Sequence, residues 1–113
     1  MGKLLYGPQQ RAIDVDDRAL AHLKIVILAK LRRREAFAFS WENDRDSGGG
    51  RGTIWLDSAI PLEFVFHGSR SPSLNRAWIQ AMNATAEHGD VRLVPEPDDG
   101  PSEQPASGTK GRW

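Results

Sequence analysis

The run DSGGGRG, Asp46 to Gly52, is the densest concentration of backbone freedom in the chain, and arginines accompany it at Arg45 and Arg51. Glycines this close together serve as a pliable connector, or where backbone must approach another surface. Cradling a phosphate is one chemistry such a run supports. A P-loop, however, needs G-x-x-x-x-G-K-S/T leading into a helix whose N-terminus faces the phosphate. Here the lysine is missing, and the following GTIWLDS reads as a strand. The dinucleotide fingerprint fails too, because Thr53 stands where its last glycine belongs. The run is read first as a flexible hairpin connector and second as a loop whose Arg45 and Arg51 contact an anionic partner.

A second group with chemical potential is KLRRRE, carrying Lys30, Arg32, Arg33 and Arg34. Clustered cations neutralise phosphates and release counterions, which is how nucleic acid is held without sequence preference. They also gather at helix C-termini, where they offset the dipole, and Glu35 follows at once. The latter reading is favoured. His22, His67 and His88 lie far apart, none at metal-ligand spacing from another histidine or a carboxylate, and each reads as a surface or capping residue. Asp16 and Asp17 are adjacent carboxylates that helix capping accounts for. His67-Gly68-Ser69 lacks the strand-to-helix elbow of a serine hydrolase. With no cysteine, thiolate metal sites and cysteine nucleophiles are excluded. No catalytic set is assembled, and no cofactor is implied.

The elements that position these groups follow from periodicity. Lys3–Tyr6 and Ala12–Val15 read as strands around a GPQQR turn. Asp16 or Asp17 then caps a helix running to about Arg33, with Leu20, Leu23, Ile27 and Leu31 on one stripe and Val26 and Leu28 widening it. Phe37, Phe39 and Trp41 alternate with Ala38, Ser40 and Glu42; Ile54 and Leu56 alternate with Thr53, Trp55 and Asp57. Leu62, Phe64 and Phe66 oppose Glu63, Val65 and His67 in a third strand, suggesting an antiparallel meander. Grouping the apolar sets buries the phenylalanines with Trp41, Ile54, Leu56 and Leu62, and leaves Trp55, Val65 and His67 on the outer face. Ser71-Pro72 reads as the start of a second helix, with Leu74, Ala77, Trp78, Ala81, Met82 and Thr85 inward and a stop near His88-Gly89. Val91 to Val94 closes the pattern as a last strand.

The expected fold is α+β: an antiparallel sheet with two helices packed on one face, in the order β-β-α-β-β-β-α-β. Residues 1–95 form one domain and 96–113, rich in Pro, Gly, Ser and Asp, form a disordered tail. Lys plus Arg equals Asp plus Glu at 15 each, so no global field draws in nucleic acid or membrane. The body is mildly basic and the tail mildly acidic. No apolar run approaches the ~20 residues of a membrane span, and the N-terminus is not a signal peptide. A soluble, cytoplasmic protein is expected.

Taken together, MGKLLYG, DDRALAHLKIVILAKLRRREAFAFSW, GGGRGTIWL, SAIPLEFVFHG, SLNRAWIQAM and VRLVPEP resemble a family of small uncharacterised bacterial proteins of about this length. The resemblance covers most of Met1 to Pro97, and some members carry an automatic label of ATP-dependent DNA ligase. Adenylation by a ligase requires lysine in K-x-D-G, and Lys3, Lys24, Lys30 and Lys110 are not followed by it. The resemblance therefore implies, at most, an accessory relation to ligation or repair.

The function expected on these grounds is a non-catalytic interaction module using an open sheet face and the glycine loop. Trp55, Val65 and His67 would supply contact area to a protein partner or a second copy, and Arg45 and Arg51 adaptable charge. The alternative is a DNA-binding accessory using Lys30, Arg32, Arg33, Arg34 and Arg51. An enzyme built on Asp57 or His67 has no positioned pair and ranks last.

Overall fold

The computed structural model describes residues 1–43 and 48–98. β1 (Gly2–Tyr6) and β2 (Arg11–Val15) form an antiparallel hairpin whose turn places Gly7 and Gln10 at positive φ and closes on Gln10 N–H to Gly7 O at 3.0 Å. Leu4, Ile13 and Val15 point inward. α1 (Asp17–Arg32) follows, and of the two candidate aspartates it is Asp16 that caps it, accepting from the N–H groups of Arg18 and Ala19. Asp17 does different work: its carboxylate accepts from His67 N–H at 3.0 Å and Gly68 N–H at 2.8 Å, fastening the chain after the fifth strand to the helix start. Those two donors hold its pKa below the usual aspartate value. Leu20, Leu23, Val26 and Ile27 are buried as the stripe requires, while Leu28 and Leu31 are only half-buried.

β3 (Phe37–Glu42) and β4 (Arg51–Leu56) pair antiparallel from Phe37↔Leu56 to Glu42↔Arg51. Phe37, Phe39, Ile54 and Leu56 fill the inner side, as the alternation demands. The meander ends there. β5 (Leu62–Val65) does not continue onto β4 but pairs antiparallel with β1, Tyr6↔Leu62 through Lys3↔Val65. The six strands of the described residues thus divide into two three-stranded sheets, β2-β1-β5 and β4-β3-β6. Alternation fixes which face of a strand is buried; it carries no information about which strand lies alongside. Leu62, Phe64, Phe66 and Trp41 accordingly pack at the border of the core, half-buried, and not in its middle.

α2 spans Arg76–Thr85 and begins later than Ser71-Pro72 suggests, because Asn75 is its cap, the side-chain oxygen accepting from Trp78 N–H at 3.2 Å. Trp78 and Met82 are buried as expected, and Ile79 joins them. A 3-10 turn, Ala86–His88, ends at Gly89 with φ 113, the left-handed stop expected of glycine there. β6 (Asp90–Arg92) is shorter than Val91–Val94 and runs parallel to β3, α2 providing the crossover that a parallel pair needs. The helices touch each other, α1 lying on β1 and α2 on β6. Tyr6 Oη donates to Trp55 O at 2.7 Å and so ties the first sheet to the edge strand of the second.

His22, expected at the surface, is fully buried. Its Nδ1 lies 2.7 Å from Arg18 O and its Nε2 accepts from Asn75 N–H at 2.8 Å, while Trp78 packs on the ring at 4.7 Å between centroids. Asn75 also donates through Nδ2 to Glu96 at 2.8 Å and to Pro97 O at 2.9 Å. Arg18 grips the same Glu96 carboxylate in a two-pronged contact, Nε–Oε1 2.9 Å and Nη2–Oε2 2.7 Å. Trp78 Nε1 donates to Val94 O at 2.8 Å. Glu96, placed by composition at the start of a tail, is thus tied to both helices; residues 99–113 of that tail lie outside the described residues.

Arg18, followed by Asn75, pulls the Glu96 pKa from 4.5 down to about 2. A carboxyl with a lowered native pKa stabilises the fold fully above its unfolded value and loses that contribution as pH falls toward the native one. Between pH 4.5 and about 2, wild type should therefore lose more stability than Glu96→Gln, as followed by acid titration of the denaturant midpoint. Parallel losses in the two proteins would show that the Arg18 contact contributes nothing.

Candidate interaction surface

The outer face of the β4-β3-β6 sheet is built by the residues that alternate with the core. Register sets them in rows: Trp55, Ala38 and Asp90; then Thr53, Ser40 and Arg92; then Arg51 with Glu42. Trp55 is 54% exposed, a large apolar side chain held outward on a strand whose neighbours Ile54 and Leu56 are locked in the core. Its exposure is as the strand phase required.

A polar ladder crosses the middle row. Ser40 Oγ donates to the Asp90 carboxylate, so the hydroxyl of Thr53, 2.8 Å from Ser40 Oγ, must be the donor in that second contact. Arg92 Nε donates to the other Asp90 oxygen at 3.2 Å. The Ser40 hydroxyl, then Arg92, hold the Asp90 pKa below the usual aspartate value. The ladder ties side chains of β4, β3 and β6 to one another across the sheet. Among the described residues no cluster of His, Cys, Asp or Glu is placed to hold a metal ion.

Beside the ladder lies an open groove of about 600 Å³, running from Glu42 and Arg51 past Ser40 and Thr53 to Val94 and Pro95. Trp41 faces Gly52 across the strand pair and stacks on Phe39 at 5.7 Å; a Cβ on Gly52 would collide with the indole. At the hairpin, Gly48, Gly49 and Gly50 all take positive φ, and Gly50 O accepts from Asn43 N–H at 2.8 Å. Gly48, Gly49 and Gly50 thus lie in the β3–β4 connection with left-handed backbone, while Gly52 admits the close approach of Trp41.

Of the sequence-chosen contact residues, Trp55 and Arg51 share this face. Val65, 38% exposed, sits on β5 in the other sheet, and His67 follows it, where its backbone N–H is engaged by Asp17. The structure thus separates the pair Val65 and His67 from Trp55, because β5 pairs with β1. Arg45 lies outside the described residues. Ser40, Asp90 and Arg92 were not singled out as a group; nothing local links Ser40 to Asp90, since parallel pairing of β3 with β6 brings them together.

The basic run at the end of α1 is partly occupied within its own turn. Glu35 accepts from Arg33 Nε at 2.8 Å and meets Lys30 Nζ at 3.4 Å, and Lys30 also lies over the Phe37 ring at 5.6 Å. Arg33, through its hydrogen bond, lowers the Glu35 pKa. Arg32 and Arg34 remain exposed.

The described residues form a small α+β fold of two three-stranded sheets and two helices. Over residues 1–96 the chain matches the family described as a domain of unknown function, DUF7882, and it belongs to that family. Comparison with curated proteins and with solved structures gives no significant match to either. No helix among the described residues is long and apolar enough to cross a membrane.

Proposed function

We propose that this domain is a non-catalytic interaction module whose contact surface is the outer face of the β4-β3-β6 sheet. The observation that carries the reading is Trp55, 54% exposed in a row continuous with the Thr53–Ser40–Asp90–Arg92 ladder. A rigid aromatic anchor bordered by prefixed polar groups is the composition of an interface hot spot. The side chains lose little entropy on binding because strand pairing and the ladder already restrain them. Arg51 and the glycine hairpin add an adaptable rim.

Equilibrium sedimentation tests the version in which the partner is a second copy. Wild type should associate reversibly, and Trp55→Ala should weaken association about 30-fold, the effect of losing ~2 kcal/mol at a hot spot. A monomer in both proteins removes self-association. For a different protein partner, a photo-crosslinking residue at Thr53 should trap it where one at Gln9 does not; equal trapping at both positions would count against this face. A DNA-binding role linked to ligation or repair draws less support, since Glu35 engages Lys30 and Arg33.

A further inference from the structure

The two hydrogen bonds of His22 fix the tautomer of its neutral ring in the closed fold. Arg18 O is a carbonyl and can only accept, so Nδ1 must carry the ring proton. Asn75 N–H can only donate, so Nε2 must present its lone pair. The neutral Nδ1–H tautomer satisfies both; an imidazolium satisfies only one, and sets two donors against each other at 2.8 Å in a fully buried position. Asn75 is no ordinary neighbour. Its backbone N–H is held by His22, its side chain caps α2, and its amide holds Glu96 and Pro97. The segment 94–98 is fastened to the body by that amide, by Arg18 through Glu96, and by Trp78 Nε1 through Val94 O.

We propose that His22 is a proton-operated latch. Protonation of Nε2 expels the Asn75 N–H, and the start of α2 and the strap 94–98 loosen together from α1 while the β1–β2 hairpin stays closed. Val94 and Pro95 line the groove beside the candidate contact face, so the latch moves one wall of that groove. The latch itself does not rest on the interaction reading, because its readouts lie in the fold.

The charged groups facing the imidazole come from both sides. Arg18, on α1, opposes an added positive charge, and Glu96, on the strap, favours it; Asn75 and Trp78 at the start of α2 are uncharged. Burial first, and Arg18 with it, lower the His22 pKa from the ordinary 6.5, outweighing the Arg18 carbonyl and Glu96. The sign follows. A histidine kept neutral in the native state leaves stability intact above its unfolded pKa and drains it as pH falls below that value toward the native one.

Two-dimensional NMR on the full chain, titrated from neutral pH into the carboxylate range, tests this. The His22 imidazole should titrate below 6.5. Over the same window the Asn75 amide and Trp78 indole N–H should lose exchange protection about tenfold per pH unit, as linkage to one proton requires. The Leu4 and Ile13 amides of the hairpin should keep theirs. Glu96→Gln should retain the transition, which separates it from carboxylate titration, whereas His22→Gln, able to accept from Asn75 and unable to titrate, should abolish it.

The latch is overturned if His22 titrates at or above the ordinary value with Asn75 and Trp78 still protected. It is equally overturned if the loss persists in His22→Gln, vanishes in Glu96→Gln, or spreads to Leu4 and Ile13 at the same midpoint. Should His22→Gln fail to fold, coincidence of the wild-type imidazole titration with the Trp78 indole exchange decides the matter.

Discussion

Phe39→Ala is expected to lower the unfolding free energy by about 4 kcal/mol. Phe39 is fully buried at the centre of β3, the strand between β4 and β6, and its ring stacks on Trp41. Removing the ring forfeits its transfer free energy and leaves a cavity that flanking strands cannot close without breaking register. Against the ~5–15 kcal/mol that separates folded from unfolded states in domains generally, such a loss is a large share. Urea unfolding should show a lower midpoint with an unchanged slope. A loss below about 1.5 kcal/mol would mean that the site collapses around the smaller side chain, contrary to its place between two paired strands.

The second large effect is expected from a single added methyl group. In Gly52→Ala the new Cβ would collide with Trp41 Cζ2 and sit 2.7 Å from Cη2. Real carbons do not approach so closely, so the indole must turn or the strands must part. Phe39 stacks on Trp41 at 5.7 Å, and an indole has only two side-chain torsions with which to escape. Overpacking of this kind costs about 2 kcal/mol. For a domain of this size that is a fall of roughly 10 °C in melting temperature. The Trp41 indole resonance should move with it, which distinguishes displacement from ordinary backbone strain. An unshifted resonance and an unchanged melting temperature would refute the tight contact. Gly48→Ala is a useful comparison, because nothing lies within 4 Å there and only the positive φ of 94 is offended.

Much of the architecture was legible because local rules decide it. The α1 stripe, the alternation of β3 and β4, and the glycine stop after α2 depend on spacing alone, and all three stand. What was not legible depends on contacts between distant positions. Leu62 and Phe64 have the pattern of a strand, but nothing in that pattern chooses β1 over β4 as neighbour. Ser71-Pro72 carries a good start signal, yet Asn75 wins the cap because His22, Glu96 and Pro97 all converge on it. His22 itself looks like a surface histidine on an amphipathic helix until its partner, on another helix, is known. The candidate face divided in the same way. Trp55 was readable from strand phase, while Val65 and His67 went to the other sheet and Ser40, Asp90 and Arg92 came together through parallel pairing.

The threading of strands between the two sheets has a consequence for the newly made polypeptide. As the chain leaves the ribosome, β1 and β2 can zip at once, but the free edge of β1 must wait for β5, and that of β3 for β6, the last strand among the described residues. Until then both edges offer unpaired backbone to any neighbour. Synthesis of the domain therefore passes through an interval in which sticky half-built sheets must be shielded, and slow codons or a chaperone would matter most just before Asp90 emerges.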